Sequence, residues 1–233
     1  MARGKGIPLV TIAVIYRKNP SVFFALKESG IEKPEDFIGK KVIANPTNFR
    51  LPAMMARLGI DMAQFEAVPP DYSMDAFFAG EIDVWSGYLT SQVLTAREKG
   101  YELNIIYPDD YGIHVYGDSI ITSERMIEEN PDLVERFLRA TLKGWYYAIE
   151  NPAGAVDMTL QYDAALDRDR QMQMMELQTP LIHTGEAEIG RMEDSVWQQM
   201  HQMLLDGGVL TQPINIAEAY TMQFLNKIYV RTE

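Results

Sequence analysis

The chain has 233 residues, of which 47% are hydrophobic and 23% charged, and its 21 basic and 33 acidic side chains give a formal charge of −12. That much apolar mass excludes an intrinsically disordered chain, and the acidic balance argues against a nucleic-acid backbone or an anionic membrane surface as partner. Cysteine is absent, so disulfides, thiolate metal sites and cysteine nucleophiles are excluded too. Length sets a soft prior of one to two domains of about 150 residues. The longest apolar run, Leu9–Tyr16, is too short to span a bilayer. Met1–Lys5 is basic, but no apolar stretch with a small-residue cleavage site follows, and no signal peptide is expected.

Leu9–Tyr16 is almost continuously apolar and β-branched, the pattern of a strand covered on both faces. Asn19-Pro20 breaks it, and Ser21–Leu26 fits either a strand or a short helix. Pro34–Phe37 opens a helical turn closed by Gly39. Strands are then expected at Val42–Ala44, Phe65–Val68, Ile82–Trp85 and Leu103–Tyr107. Helices alternate with them at Leu51–Leu58 (ended by Gly59), Ser73–Ala79 (Ser73 as N-cap, closed by Gly80) and Thr90–Lys99 (closed by Gly100). This alternation predicts an α/β layer with a mainly parallel sheet. Beyond Asp118 a last strand, Ile120-Ile121, precedes a helical C-terminal part. Asn130-Pro131 begins a long helix whose expected buried stripe is Val134, Phe137, Leu138, Thr141, Trp145, Ala148 and Ile149. Asn151-Pro152 ends it. Further helices are expected around Arg168–Leu177, Ser195–Leu205 and Ile216–Ile228.

Three stretches concentrate groups suited to holding a ligand. Thr47-Asn48-Phe49-Arg50 lies between a strand and a helix start, where free backbone N–H groups and a positive dipole end meet at a strand tip. Thr47 and Asn48 add hydrogen bonds, Phe49 a stacking face and Arg50 a fork for a carboxylate, sulfonate or phosphate. An ordinary capped turn explains the same residues equally well. Trp85 ends a strand, Gly87 permits close backbone approach and Tyr88 follows it, so the two aromatics could sandwich a flat ligand. A core role slightly favours itself for Trp85 alone. Asp110, Tyr111, His114, Tyr116 and Asp118 crowd between strands with two glycines, a density suited to a hinge that lines a cleft. Asp110 or Asp118 could accept from an amino group. His114, His183 and His201 are scattered without metal-ligand spacing, and no nucleophile-and-base, P-loop or dinucleotide motif is present. No catalytic residue, metal or cofactor is assigned, and the reading is binding rather than catalysis.

Ser21–Ile31 followed by Pro34–Val42, then Gly80–Tyr88, then Tyr107–Gly112 with Tyr116–Asp118, Glu129–Val134 and Phe137–Ala140, resemble the family of periplasmic binding proteins that includes binders of thiamine pyrimidine precursors, sulfonates and nitrate. The resemblance covers nearly the whole chain. It implies a two-lobe α/β periplasmic-binding-protein type II fold with an incomplete first lobe. Lobe one would be residues 1–36 and 112–233, lobe two residues 37–111, with hinge crossings near Ile15–Ala25 and Asp109–Gly117. The three stretches would fall in the cleft. Met1–Gly6 looks like the tail of the helix that closes the family's opening βαβαβ section, so lobe one is expected to lack strands and to leave a sheet edge uncovered.

The function implied is substrate binding for an ABC importer, with a small organic solute and the transporter's membrane subunits as partners. The solute would be a thiamine pyrimidine precursor or a related heterocycle or anion. The full-length protein would be periplasmic, or extracellular and membrane-associated. An alternative is the ligand-sensing input of a signalling protein, although no transmitter segment follows Glu233. A pyrimidine synthase of thiamine biosynthesis shares the fold, but it resembles a sequence with a Cys-rich iron motif. A ligand-free remnant is the remaining option.

Overall fold

The computed structural model describes residues 2–45, 48–70 and 73–230. Its strands are β1 (Leu9–Val14), β2 (Ser21–Leu26), β3 (Lys41–Ile43), β4 (Glu66–Val68), β5 (Trp85–Tyr88), β6 (Leu103–Ile106) and β7 (Ser119–Ser123). The helices are α1 (Arg50–Leu58), α2 (Met74–Phe78), α3 (Leu94–Glu98), α4 (Glu124–Glu129), α5 (Pro131–Glu150), α6 (Pro152–Tyr162), α7 (Arg168–Ile182), α8 (Asp194–Asp206) and α9 (Gln223–Val230). The chain divides into two compact units, one of Pro20–His114 and one of Met1–Asn19 with Val115–Glu233. The chain passes from one unit to the other at 19/20 and at 114/115. The expected boundaries at 36/37 and 111/112 differ because β2 hydrogen-bonds between β5 and β6, which draws residues 20–36 into the Pro20–His114 unit.

In that unit the ambiguous run Ser21–Leu26 is the central strand of the order β5-β2-β6, antiparallel to both neighbours. Its continuous apolar character follows from burial on both faces, since Val22, Phe23, Phe24 and Ala25 are all solvent-inaccessible or nearly so. Phe23 meets Phe37 edge-on at 6.0 Å, and Phe24 meets Phe77 at 5.3 Å and 85°. Among the described residues only β3 and β4 form a parallel strand pair, so the expected mainly parallel sheet is corrected. The strand expected at Ile82–Trp85 begins where that reading ended it. Val84 makes a single parallel bridge to Val42, and the ladder with β2 starts at Trp85. The helix expected at Thr90–Lys99 is a π-turn, Leu89–Val93, that tightens into α3.

In the other unit β1 pairs antiparallel with β7, which among the described residues pairs with no further strand. β1 packs against α9, which buries Phe224, Leu225 and Ile228, and α9 packs in turn against α5, which buries Val134, Leu138 and Leu142. The α5 stripe is thus narrower than expected and rotated, leaving Phe137 57% exposed. The C-terminal helix expected at Ile216–Ile228 is interrupted, because Tyr220 and Thr221 run beside β1 and the amide of Thr221 donates to the Thr11 carbonyl. Asn151-Pro152 ends α5 and at once starts α6, a helix the sequence pattern did not separate. At Gly190 φ is +96°, and a Cβ there would stand 3.1 Å from both Leu142 and Leu225 and 3.3 Å from Ala13. The glycine lets the backbone come close enough for its carbonyl to accept from Val14 N–H at 3.1 Å.

Gly190→Ala should lower stability by roughly 2–4 kcal/mol in urea denaturation, as left-handed strain and overpacking add. Gly100→Ala, with φ +88° but open space around its Cβ, should cost only the strain. Equal losses at the two positions would refute the close-packing role of Gly190.

Candidate functional site

The Pro20–His114 unit gathers Asn48, Phe49, Arg50 and Tyr88 around the head of β2. Arg50 opens α1 and Phe49 occupies its N-cap position. Asn48 accepts twice through Oδ1, from the Arg50 backbone N–H and from its Nε–H, both at 3.1 Å. The second guanidinium contact is Nη2–H to Ser21 Oγ at 3.0 Å. Ser21 stands directly opposite Tyr88 in the β2–β5 register. The Tyr88 backbone N–H donates to Gln92 Oε1 at 2.9 Å, and a Cβ at Gly87 would come within 3.0 Å of the same glutamine. A side chain at Gly87 would need Gln92 to give by a few tenths of an ångström, while the Tyr88 residue stays 48% exposed.

Arg50 is half-buried, and among the described residues no carboxylate pairs with it. Burial lowers the guanidinium's pKa, with the Tyr88 phenol acting in the opposite sense. The group remains a cation at any physiological pH. Thr47, the remaining member of this stretch, lies outside the described residues.

The other sequence-selected residues fall into three places. Trp85 is buried in the core beside Phe77, with ring centroids 6.0 Å apart. Asp110 and Tyr111 belong to a single 3-10 turn, Pro108–Tyr111, that is followed by Gly112 at φ +76°. A Cβ on Gly112 would lie 2.6 Å from Arg57 Nε, so this turn rests directly on the guanidinium at the end of α1. Burial and then the carboxylates of Glu35, Asp110 and Asp36 raise the Tyr111 phenol. His114 hydrogen-bonds Asp109 through Nδ1.

Tyr116 and Asp118 belong to the other unit. Tyr116 is buried, its hydroxyl accepts from Glu193 N–H at 2.8 Å, and its ring meets Trp197 edge-on. Asp118 is exposed, and its backbone carbonyl accepts from Ile15 N–H at 2.8 Å. Burial first, and the Asp118 charge second, push the Tyr16 phenol up to about 12. That phenol donates to Gln178 Oε1 at 2.6 Å. Ser21 and Gln92 were not selected from the sequence. Ser21 carried a signal, as the single hydroxyl heading an otherwise apolar strand. Gln92 carried none, because its role depends on the β5 register. Among the described residues no cluster of three or more His, Asp or Glu side chains forms a metal site, and no helix is long and apolar enough to cross a membrane.

These elements define the α/β fold of the periplasmic binding proteins. The periplasmic aliphatic sulphonate binding protein SsuA of Escherichia coli matches with a TM-score of 0.73 at 13% identity, over 93% of this chain and 70% of that one. The chain belongs to the family described as NMT1/THI5 like, which matches residues 1–155. It is similar to the riboflavin-binding protein RibY of Chloroflexus aurantiacus, at 27% identity over 97% of this chain and 67% of the relative. It is likewise similar to a formylaminopyrimidine-binding protein of Halalkalibacterium halodurans, at 23% identity over 95% of this chain and 70% of the relative. A third relative is the 4-amino-5-hydroxymethyl-2-methylpyrimidine phosphate synthase of Legionella pneumophila, at 24% identity over 96% of this chain and 72% of that protein.

A raised phenol pKa stabilises the fold fully below the unfolded-state value of 10.0 and loses that contribution as pH rises through the folded-state value of about 12. The urea midpoint of the wild-type chain should therefore fall between these pH values, and the midpoint of Tyr16→Phe should fall less. Parallel curves for the two proteins would show that Tyr16 carries none of the alkaline transition.

Proposed function

We propose that the chain is the solute-binding component of an ABC importer. It takes up a small organic solute, a thiamine pyrimidine precursor or a related heterocycle or anion, and presents it to the transporter's membrane subunits on the periplasmic or extracellular side. The observation that carries this reading is that two binding proteins for nitrogen heterocycles match nearly the whole chain. The cluster at the head of β2 supports it, because Arg50, Asn48, Ser21 and the exposed Tyr88 supply charge, hydrogen bonds and a stacking face without a nucleophile beside a base. Phe49, Asp110, Tyr111 and His114 of the same unit complete the proposed ligand-contacting set there, while in the other unit Asp118 is exposed and Tyr116 is buried against Trp197. Trp85, whose ring packs beside Phe77, and Gly87, which faces Gln92, are not part of the set.

A second reading, catalysis on a pyrimidine, is favoured by one observation, the similarity to the synthase. The chain's own residues weigh against it. His201 Nε2 is occupied in accepting from Ile214 N–H at 3.1 Å, and no cysteine is present.

Calorimetric titration with riboflavin, formylaminopyrimidine, hydroxymethylpyrimidine and an aliphatic sulfonate separates these readings. One solute should bind saturably with a dissociation constant in the range of about 1 μM or tighter, and mass spectrometry should recover it unchanged. Tyr88→Ala should weaken that binding by about tenfold or more. Conversion of the solute would establish the catalytic reading, and full affinity in Tyr88→Ala would remove that residue from the site.

A further inference from the structure

The helices α5, α6 and α7 surround a cavity of about 380 Å³. The residues that line it all belong to the unit of Met1–Asn19 with Val115–Glu233, so it shares no side chain with the cluster at the head of β2. α6 packs against both of the other helices, and the buried side chains of Val156 and Met175 form the floor. Gly144 of α5 and Thr159 of α6 are exposed at its mouth. The wall from α7 is Gln171, Met174, Met175 and Gln178, whose i, i+3, i+4, i+7 spacing is one face of a helix. Glycine inside a helix is disfavoured against alanine, because more backbone freedom is lost for no side-chain contact. Gly144 has neither a positive φ nor a close neighbour to require it, since a Cβ there would meet nothing within 4 Å. Its effect on the structure is open space beside Trp145 and Ala148, which line the same cavity.

We infer that this cavity is a second ligand site, which takes an uncharged molecule of two or three fused rings bearing a carbonyl group. The inference stands apart from the solute-binding reading of the β2 cluster. Size comes first. The volume is more than twice the roughly 150 Å³ of an apolar cavity that holds one benzene, and it falls in the range of about 300–1,000 Å³ typical of small-molecule pockets. The walls then select the ligand. Trp145 offers a ring to stack on, and the thioethers of Met174 and Met175 adapt to the shape of an apolar body. The polar groups on α7 are the neutral amides of Gln171 and Gln178, a lining that favours an uncharged ligand over an ion. Gln178 is oriented. Its Oε1 accepts from the Tyr16 hydroxyl at 2.6 Å, and its Nε2–H donates to Sδ of Met175, on the cavity wall. Burial, and then Asp118, push the Tyr16 phenol up to about 12, so it stays a donor across the neutral range and keeps the amide turned this way. Tyr16 is thus a positioning residue. A thioether is a weak acceptor, and a carbonyl oxygen is the better partner for the same N–H.

The test uses the whole chain and the dye 6-propionyl-2-(dimethylamino)naphthalene, an uncharged two-ring ketone whose emission moves to shorter wavelength in apolar surroundings. It should bind saturably with a dissociation constant of about 10 μM or tighter. Binding should quench tryptophan emission, and that quenching should be lost in Trp145→Phe while the dye still binds. Two analogues read the chemistry. 2-(Dimethylamino)naphthalene, which lacks the ketone, should bind about fivefold more weakly, and this gap should close in Gln178→Leu. 2-Naphthoate, with a charge in place of the ketone, should bind about tenfold or more weakly than the dye. Gly144→Leu fills the cavity from α5 and should cut dye affinity by about tenfold or more, while its urea midpoint holds or rises because leucine is the better helix former. Tyr88→Ala, in the other unit, should leave dye affinity unchanged. No saturable binding, or full affinity in Gly144→Leu, overturns the site. Loss of binding in Tyr88→Ala assigns the dye to the β2 cluster and overturns it too. Equal affinity for 2-naphthoate and the dye, or a ketone preference that survives in Gln178→Leu, overturns the ligand class.

Discussion

The half-buried guanidinium of Arg50 is oriented by an amide oxygen and a hydroxyl, with no carboxylate paired to it among the described residues, and the Pro20–His114 unit holds it there on a stiff framework. Burial makes the charge costly and lowers its pKa. The cost is tolerated because the surrounding framework is stiff. β2 is hydrogen-bonded on both edges, its Phe23 and Phe24 are locked edge-on against Phe37 and Phe77, and Ser21 is the first residue of that strand. The hydroxyl that orients Arg50 is therefore fixed by the most deeply buried element of the unit.

The sequence made this framework legible where local chemistry decides structure. The helix α1, its end at Gly59, the start of α5 at Pro131 and the strand at β1 all follow from caps, breakers and β-branched runs. Legibility failed where partners distant in sequence decide. Ser21–Leu26 is equally apolar as strand or helix, and only the gap between β5 and β6 resolves it, which also shifts the unit boundaries to 19/20 and 114/115. The alternation of strands and helices suggested parallel pairing, yet β2 enters the sheet antiparallel to both neighbours, a choice that no local pattern records. In α5 the apolar positions outnumber those the core accepts, so Val134, Leu138 and Leu142 are buried and Phe137 is not.

The candidate site shows the same division. Asn48, Arg50 and Tyr88 were marked by their chemistry at a strand tip and a strand end, and they lie around one point of the unit. Trp85 and Tyr116 have equally suggestive chemistry, but their rings pack into cores beside Phe77 and Trp197. An aromatic ring buries a large apolar area, so composition alone favours its use in packing over display. Ser21 escaped notice because a hydroxyl is unremarkable until its register opposite Tyr88 is known.

The helix α1 links the two ends of this arrangement. Its nine residues form a rod of about 14 Å, with Arg50 at its first position and Arg57 near its last. At the far end the Arg57 guanidinium lies against the backbone of Gly112, where even a methyl group would collide with it. Gly112 closes the turn that carries Asp109, Asp110 and Tyr111, and His114 is tied back to Asp109. A short helix without internal breakers other than Pro52 in its first turn transmits position rather than bending. The turn just before the 114/115 crossing and the guanidinium beside β2 are thus held at the two ends of one rigid element. The cation itself is oriented by its hydrogen bonds to Asn48 and Ser21.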